Sequence, residues 1–196
     1  MKKLRSTAGF LLTAIFAATL CVGCGGLPKQ LTRVQRIDQP PAGKALVNFH
    51  RPSTWGGNQL YPIFDINGKM LMDLMGGCEF QQVCEPGENV FVGWAEHVAV
   101  VKADLAPDKV YDIMVDISMG WVKGNVYLSP VAKGDPRRSK LSQFERREKT
   151  VLALNRNQHV ADYEAKNQAR IVEIKQDFVS GQKSDRVKYL QKDDCR

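Results

Sequence analysis

The run VYDIMVDI, residues 110–117, alternates strictly: Tyr111, Ile113, Val115 and Ile117 fall on one side, Asp112, Met114 and Asp116 on the other. A period of two is the pattern of a strand with one face on a core and the other in water. About eight short runs of β character lie between Lys44 and Val131, including ALVNFH, KMLMDLM, NVFVGWA and NVYLSPV. Turn residues separate them. Asn67-Gly68 is the strongest hairpin signal, because both residues tolerate positive φ. Gly76-Gly77, Glu85-Pro86-Gly87-Glu88 and Ala106-Pro107-Asp108-Lys109 punctuate the rest. Pro62, inside QLYPIFDI, indicates an edge position or a bulge. The pattern predicts a mainly β fold, an antiparallel β-sandwich of about seven to eight strands over residues 44–133.

After Gly134-Asp135-Pro136 the pattern changes. Residues 142–179 contain neither Gly nor Pro and are rich in Glu, Lys, Arg, Gln and Ala. Val160, Ile171, Ile174 and Phe178 trace a thin apolar stripe. This predicts a helix over 142–179, ended by Gly181 and largely outside the sandwich core. The formal charge of +7 is uneven: residues 134–196 hold fifteen basic and ten acidic groups, whereas 25–133 are nearly balanced. Residues 134–196 therefore read as a basic helical segment whose natural counter-charges are an anionic lipid or an envelope protein. Nucleic acid is not an expected partner of an exported chain.

Export is the expectation from the N-terminus. Lys2, Lys3 and Arg5 precede an apolar stretch from Gly9 to Val22. That length suits a signal sequence and falls short of the ~20 residues that cross a bilayer. The stretch ends in Cys21-Val22-Gly23-Cys24. Small residues before a cysteine resemble the bacterial lipobox, with cleavage after Gly23 and lipidation of Cys24. Cys21 is the departure, standing where most lipoboxes carry Leu. Residues 1–23 are thus expected as a lipoprotein signal peptide and 24–43, with Pro40-Pro41, as a flexible tether. Gly25 follows the cysteine where an Asp would disfavour the outer membrane, so a periplasm-facing outer-membrane position is expected.

Three cysteines besides Cys21 and Cys24 remain: Cys78, Cys84 and Cys195. On one extended strand Cys78 and Cys84 would lie ~20 Å apart. A disulfide needs Cα atoms within about 7 Å, so no Cys78–Cys84 bridge is expected.

Candidate chemistry is sparse. FHRPSTWGGN, residues 49–58, offers a candidate binding loop of His50, Arg51 and Trp55, with Arg for an anion and Trp for stacking. The plainer reading has Arg51-Pro52 ending a strand and Trp55 covering a sandwich edge. Asp112 and Asp116 would be ~13 Å apart along a strand, beyond the ~5–9.5 Å of paired glycosidase carboxylates, and read as a solvated face. Met70, Met72, Met75 and Cys78 could supply soft ligands to copper. Met70 and Met72 would share a strand face and Met75 would point away, so core filling is the simpler role. His50, His97 and His159 show no metal-ligand spacing. No GxSxG, P-loop, HExxH or paired CxxC motif occurs. A noncatalytic module without a cofactor is expected, with an envelope enzyme as the rival.

ALVNFHRPS (45–53), INGK (66–69), EPGE (85–88) and VYDIMVDISMG (110–120) occur in that order. Together they resemble the bacterial lipoprotein family filed as domain of unknown function 2846, over roughly residues 44–131. Asn48 and His50 stand among positions that the family usually fills with aromatics. The resemblance implies an exported β-sandwich and transfers no catalytic residue.

Overall fold

The computed structural model describes residues 26–53, 59–121, 124–141, 149–179, 181, 183 and 186–196. Cys24, Trp55 and residues 142–148 of the expected helix lie outside these. Turn chemistry sets the strand boundaries. Gly68, Gly77 and Gly87 adopt positive φ between successive strands, and Asp108 does so without being glycine. Its carboxylate accepts the Gly43 N–H at 2.7 Å, which holds the turn.

Among the described residues, eleven strands form two sheets. The first runs β1 (Leu31–Gln35), β10 (Thr150–Leu154), β5 (Cys78–Cys84), β2 (Ala45–Arg51), β8 (Val110–Met119) and β9 (Gly124–Pro130). The second runs β11 (Lys188–Leu190), β7 (Val98–Leu105), β6 (Gly87–Trp94), β3 (Tyr61–Asp65) and β4 (Met70–Leu74). The expected mainly β sandwich is therefore present. Most pairings are antiparallel, but β2–β8, β5–β10 and β7–β11 are parallel.

The main core lies between the sheets. Val47 and Phe49 of β2, and Tyr111, Ile113 and Val115 of β8, meet Ile63, Met72, Phe91 and Val101. Phe49 and Phe91 pack edge to face at 5.1 Å. Ile117 packs against the margin of this core. The core face expected of the VYDIMVDI run is thus the observed one.

The opposite face of that run departs from expectation. Asp112 and Met114 are buried, and Asp116 alone of the three is exposed. The reason is coverage. Met114 packs with Val131 and Leu141, and the stretches around Arg36 and Arg196 close over the rest.

Three strands lie where none was predicted. β1 falls in the expected tether, because Leu31 enters the core and the strand pairs with β10 along its length. β10 occupies part of the expected helix, with Val151 and Leu152 buried. β11 joins the edge of β7 through Lys188–Leu190.

The helix, α1 (Gln158–Ile174), starts at Asn157, whose side chain accepts the Val160 N–H at 3.1 Å. It passes into a π-helical turn over Lys175–Val179. Gly181 then runs against that turn: a Cβ there would lie 2.1 Å from the Gln176 carbonyl oxygen, so only glycine fits.

The apolar stripe is not a loose appendage. Val160 and Ile171 pack with Phe64 and Met70, while Ile174 and Phe178 pack with Val90, Val92, Val100 and Val187. These clusters cover the outer face of the second sheet, separate from the main core.

A bulge between Ile63 and Phe64 sets Met72 opposite Ile63 and Met70 opposite Phe64. Met72 consequently enters the main core and Met70 lies under α1. The two methionines do not share a face, contrary to the regular alternation expected from the sequence. Pro62 lies just before the bulge, where β3 pairs with β4 alone.

Two outcomes follow from this packing. Ile171→Ala should lower stability in urea titration by about 2–5 kcal/mol through lost burial and the cavity left behind. Truncation after Lys133 removes β10, α1 and β11, and should abolish the cooperative unfolding transition rather than leave an intact sandwich.

Candidate functional site

β2 is buried on both faces. Its odd-numbered residues Ala45, Val47 and Phe49 fill the core, so Asn48 and His50 point to the outer face of the first sheet. The registers place Asn48 beside Asp112 on β8 and His50 beside Glu79 on β5. Four polar side chains thereby share one buried patch.

Asp112 is its centre. Its carboxylate accepts hydrogen bonds from His50 Nε2 at 2.9 Å, Asn48 Nδ2 at 3.1 Å and Arg138 Nη1 at 3.2 Å. Arg196 donates twice, from Nε at 2.7 Å and from Nη2 at 2.5 Å. Burial alone would raise its pKa. The hydrogen bonds from Arg196 and His50, with their charges, outweigh it and hold Asp112 well below the usual carboxylate range. An ionised Asp112 can only accept, so His50 Nε2 carries the proton.

The second ring nitrogen of His50 faces Glu79, 3.8 Å from Oε2. Glu79 in turn takes a charge-assisted hydrogen bond from Arg36. Gln81 links Asn48 Oδ1 to the Ile37 carbonyl at 2.9 and 2.8 Å. Arg138 adds hydrogen bonds to the carbonyls of Val131, Ala132 and Asp194. The cluster thus joins β2, β5 and β8 to the strap at 36–39, the helical turn at 138–141 and the stretch ending in Arg196.

Cavities of about 360 and 380 Å³ flank this patch. Arg196 lines both; Asp112, Arg138 and Cys195 line the first, and Arg36, Asn48 and Lys109 the second.

A histidine oriented by an aspartate is the base half of many nucleophilic sites, where its other nitrogen must reach a nucleophile or substrate. Here His50 is 0% exposed and that nitrogen looks toward a second carboxylate. The arrangement binds segments of the chain together.

The candidate loop residues are placed apart. Arg51, next to His50 on the strand, points to the opposite side. It is 1% exposed, donates to the carbonyls of Gln59 and Leu74 at 2.5 Å each, and lies over the Tyr61 ring. Burial lowers its pKa, partly offset by Tyr61, Cys78 and Asp73. It ties the end of β2 to β4. Asp73, also buried, takes a hydrogen bond from Gln30 at 2.9 Å, and its pKa is raised by desolvation. His97 lies in neither group, and His159 lies near Asp73, whose pKa its charge lowers.

Asp112, Glu79, Arg138 and Arg196 were not recognised from the sequence as one group. The available signal was NxH in ALVNFH: two polar residues two apart in a run otherwise apolar enough for double burial. Their partners depend on strand register, which local sequence does not reveal.

Cys78 and Cys84 occupy opposite ends of β5, and among the described residues neither they nor Cys195 form a disulfide. Burial, with Glu85 nearby, pushes the Cys84 thiol up to about 12.

Compared with protein-family models, curated proteins and solved structures, the chain matches none.

Asp112→Asn should cost about 1.5–3 kcal/mol at neutral pH, because it removes the charge that the partly exposed Arg138 and Arg196 bind. Asp112 is depressed in the folded state, so its contribution is complete above the ordinary Asp range near ~4 and fades as pH falls below it. The stability gap between wild type and Asp112→Asn, measured by urea denaturation, should therefore narrow in acid. Cys84 should resist maleimide in the folded protein and react once denaturant is added.

Proposed function

We propose that the protein is a lipid-anchored lipoprotein of the bacterial cell envelope, whose sandwich is a binding or assembly module rather than an enzyme. The observation that carries this reading is the N-terminal sequence: Lys2, Lys3 and Arg5, an apolar stretch too short to span, then Val22-Gly23-Cys24. Two or more acyl chains on Cys24 would anchor the chain stably, where one would not. The ordered motifs from ALVNFHRPS to VYDIMVDISMG support kinship with the lipoproteins of domain of unknown function 2846.

The noncatalytic part of the reading rests on the buried cluster. His50 has the chemistry of a base but no path to a substrate, and Asp112 is committed to four partners. Met70 and Met72 lie in separate clusters, which weighs against a shared copper site. The positive surplus of residues 134–196 favours an envelope protein or anionic lipid as partner, with the sandwich facing the periplasm from the outer membrane.

Expression with a clickable fatty acid tests the anchor. Wild type should be labelled and should sediment with membranes. Cys24→Ala should lose both properties; equal labelling of the two would remove the basis of the proposal.

A further inference from the structure

The second sheet is incomplete at one edge. β11 pairs with β7 at Val101–Ala103, and among the described residues no strand continues beside Val98–Val100. Among the described residues, β9 also pairs with no strand on its outer side. Between these margins lies a slot of about 370 Å³. That volume falls near the lower end of the ~300–1,000 Å³ typical of small-molecule sites, enough for one aliphatic chain rather than two.

Its walls are apolar: Val98, Val100, Val126, Leu128 and Phe178. Val100, Val126, Leu128 and Phe178 are otherwise packed into the cores, so the slot has a firm floor.

Cations also line the slot. Arg186 and Lys188 both border it. Lys188 Nζ donates to Ser129 Oγ at 2.9 Å, a neutral acceptor. The pKa of Lys188 is lowered by burial and by Arg137, with only a partial offset from Asp116. The Arg186 guanidinium makes no hydrogen bond or ion pair with another described residue. The nearby carboxylates are already engaged: Asp177 by Lys183 at 2.5 Å, Glu173 by Arg170 at 2.6 Å, and Glu96 by the Trp121 N–H at 2.9 Å.

We propose that this slot binds a single-chain aliphatic carboxylate, with the chain on the apolar walls and the carboxylate between Arg186 and Lys188. The walls exclude a small hydrophilic anion as the preferred ligand, because it would leave them wet. The two cations select against neutral and cationic amphiphiles: a carboxylate adds its own charge to the hydrogen bonds it accepts, an alcohol accepts without a charge, and a quaternary ammonium accepts none and is repelled. This assignment is independent of the lipid anchor: a chain without acylation at Cys24 would keep the slot.

The test uses the full chain and dodecanoate carrying a photoactivatable diazirine. After irradiation, adducts should map to peptides holding residues 98–100, 126–128 or 178. Unlabelled dodecanoate should compete, while dodecanol and dodecyltrimethylammonium should compete about tenfold or more less well, and acetate not at all. Arg186→Gln combined with Lys188→Gln should weaken capture by a similar factor. The head-group series on the unaltered chain decides the matter even if that variant is poorly folded. Adducts confined to other peptides, or equal competition by the three dodecyl compounds, would overturn the assignment. So would unchanged capture by a folded double variant.

Discussion

The outer layer of the first sheet is held by one carboxylate. Burying an ion in a protein interior costs several kcal/mol, and attraction offsets this only when the remaining lone pairs are satisfied. Asp112 meets that condition with donors from Asn48, His50, Arg138 and Arg196. They come from β2, from the helical turn at 138–141 and from the last described residue of the chain. These covering stretches are short and polar, and apolar burial alone could not fix them. Arg138 extends the tie to the carbonyls of Val131 and Asp194, so the turn and the terminal stretch depend on the same charge.

The other sheet is covered by different physics. α1 and the π-helical turn after it lay Val160, Ile171, Ile174 and Phe178 on apolar side chains, with Phe64 stacked on Trp94 at 4.7 Å. At the β4 edge polar contact adds to this. Glu164 accepts the Met70 N–H at 2.7 Å, and Arg156 donates to the Met70 carbonyl at 2.6 Å, which occupies an otherwise open strand edge. One sandwich thus carries an ionic cover on one side and an apolar cover on the other. The proposed carboxylate slot lies at the margin of the apolar cover, where Phe178 borders the gap between β7 and β9.

The central strands were legible because their determinants are local. Asn67-Gly68 and Ala106-Pro107-Asp108-Lys109 dictate turns through backbone conformation, and VYDIMVDI declares its core face through a period of two. β1, β10 and β11 were not legible. Their stretches are short or polar, and each gains its structure from a partner distant in sequence, as Leu31 does from Leu154. Burial of Asp112 was hidden for the same reason. An aspartate in an alternating strand signals solvent unless another segment brings cations to it, and Arg138 and Arg196 lie 26 and 84 residues away. The methionine faces were misread because one bulge reverses the alternation.

The cover of the first sheet rests on Asp112 and Arg196 acting as a coupled pair within this cluster. A double-mutant cycle of Asp112→Asn and Arg196→Gln, followed by urea denaturation at neutral pH, measures that coupling directly. Residues sharing one ionic network couple by about 0.5–3 kcal/mol, and distant sites add within about 0.3–0.5 kcal/mol. Coupling of at least about 1 kcal/mol is expected, with the double variant less damaged than the sum of the single ones. Additivity of the two substitutions would contradict it.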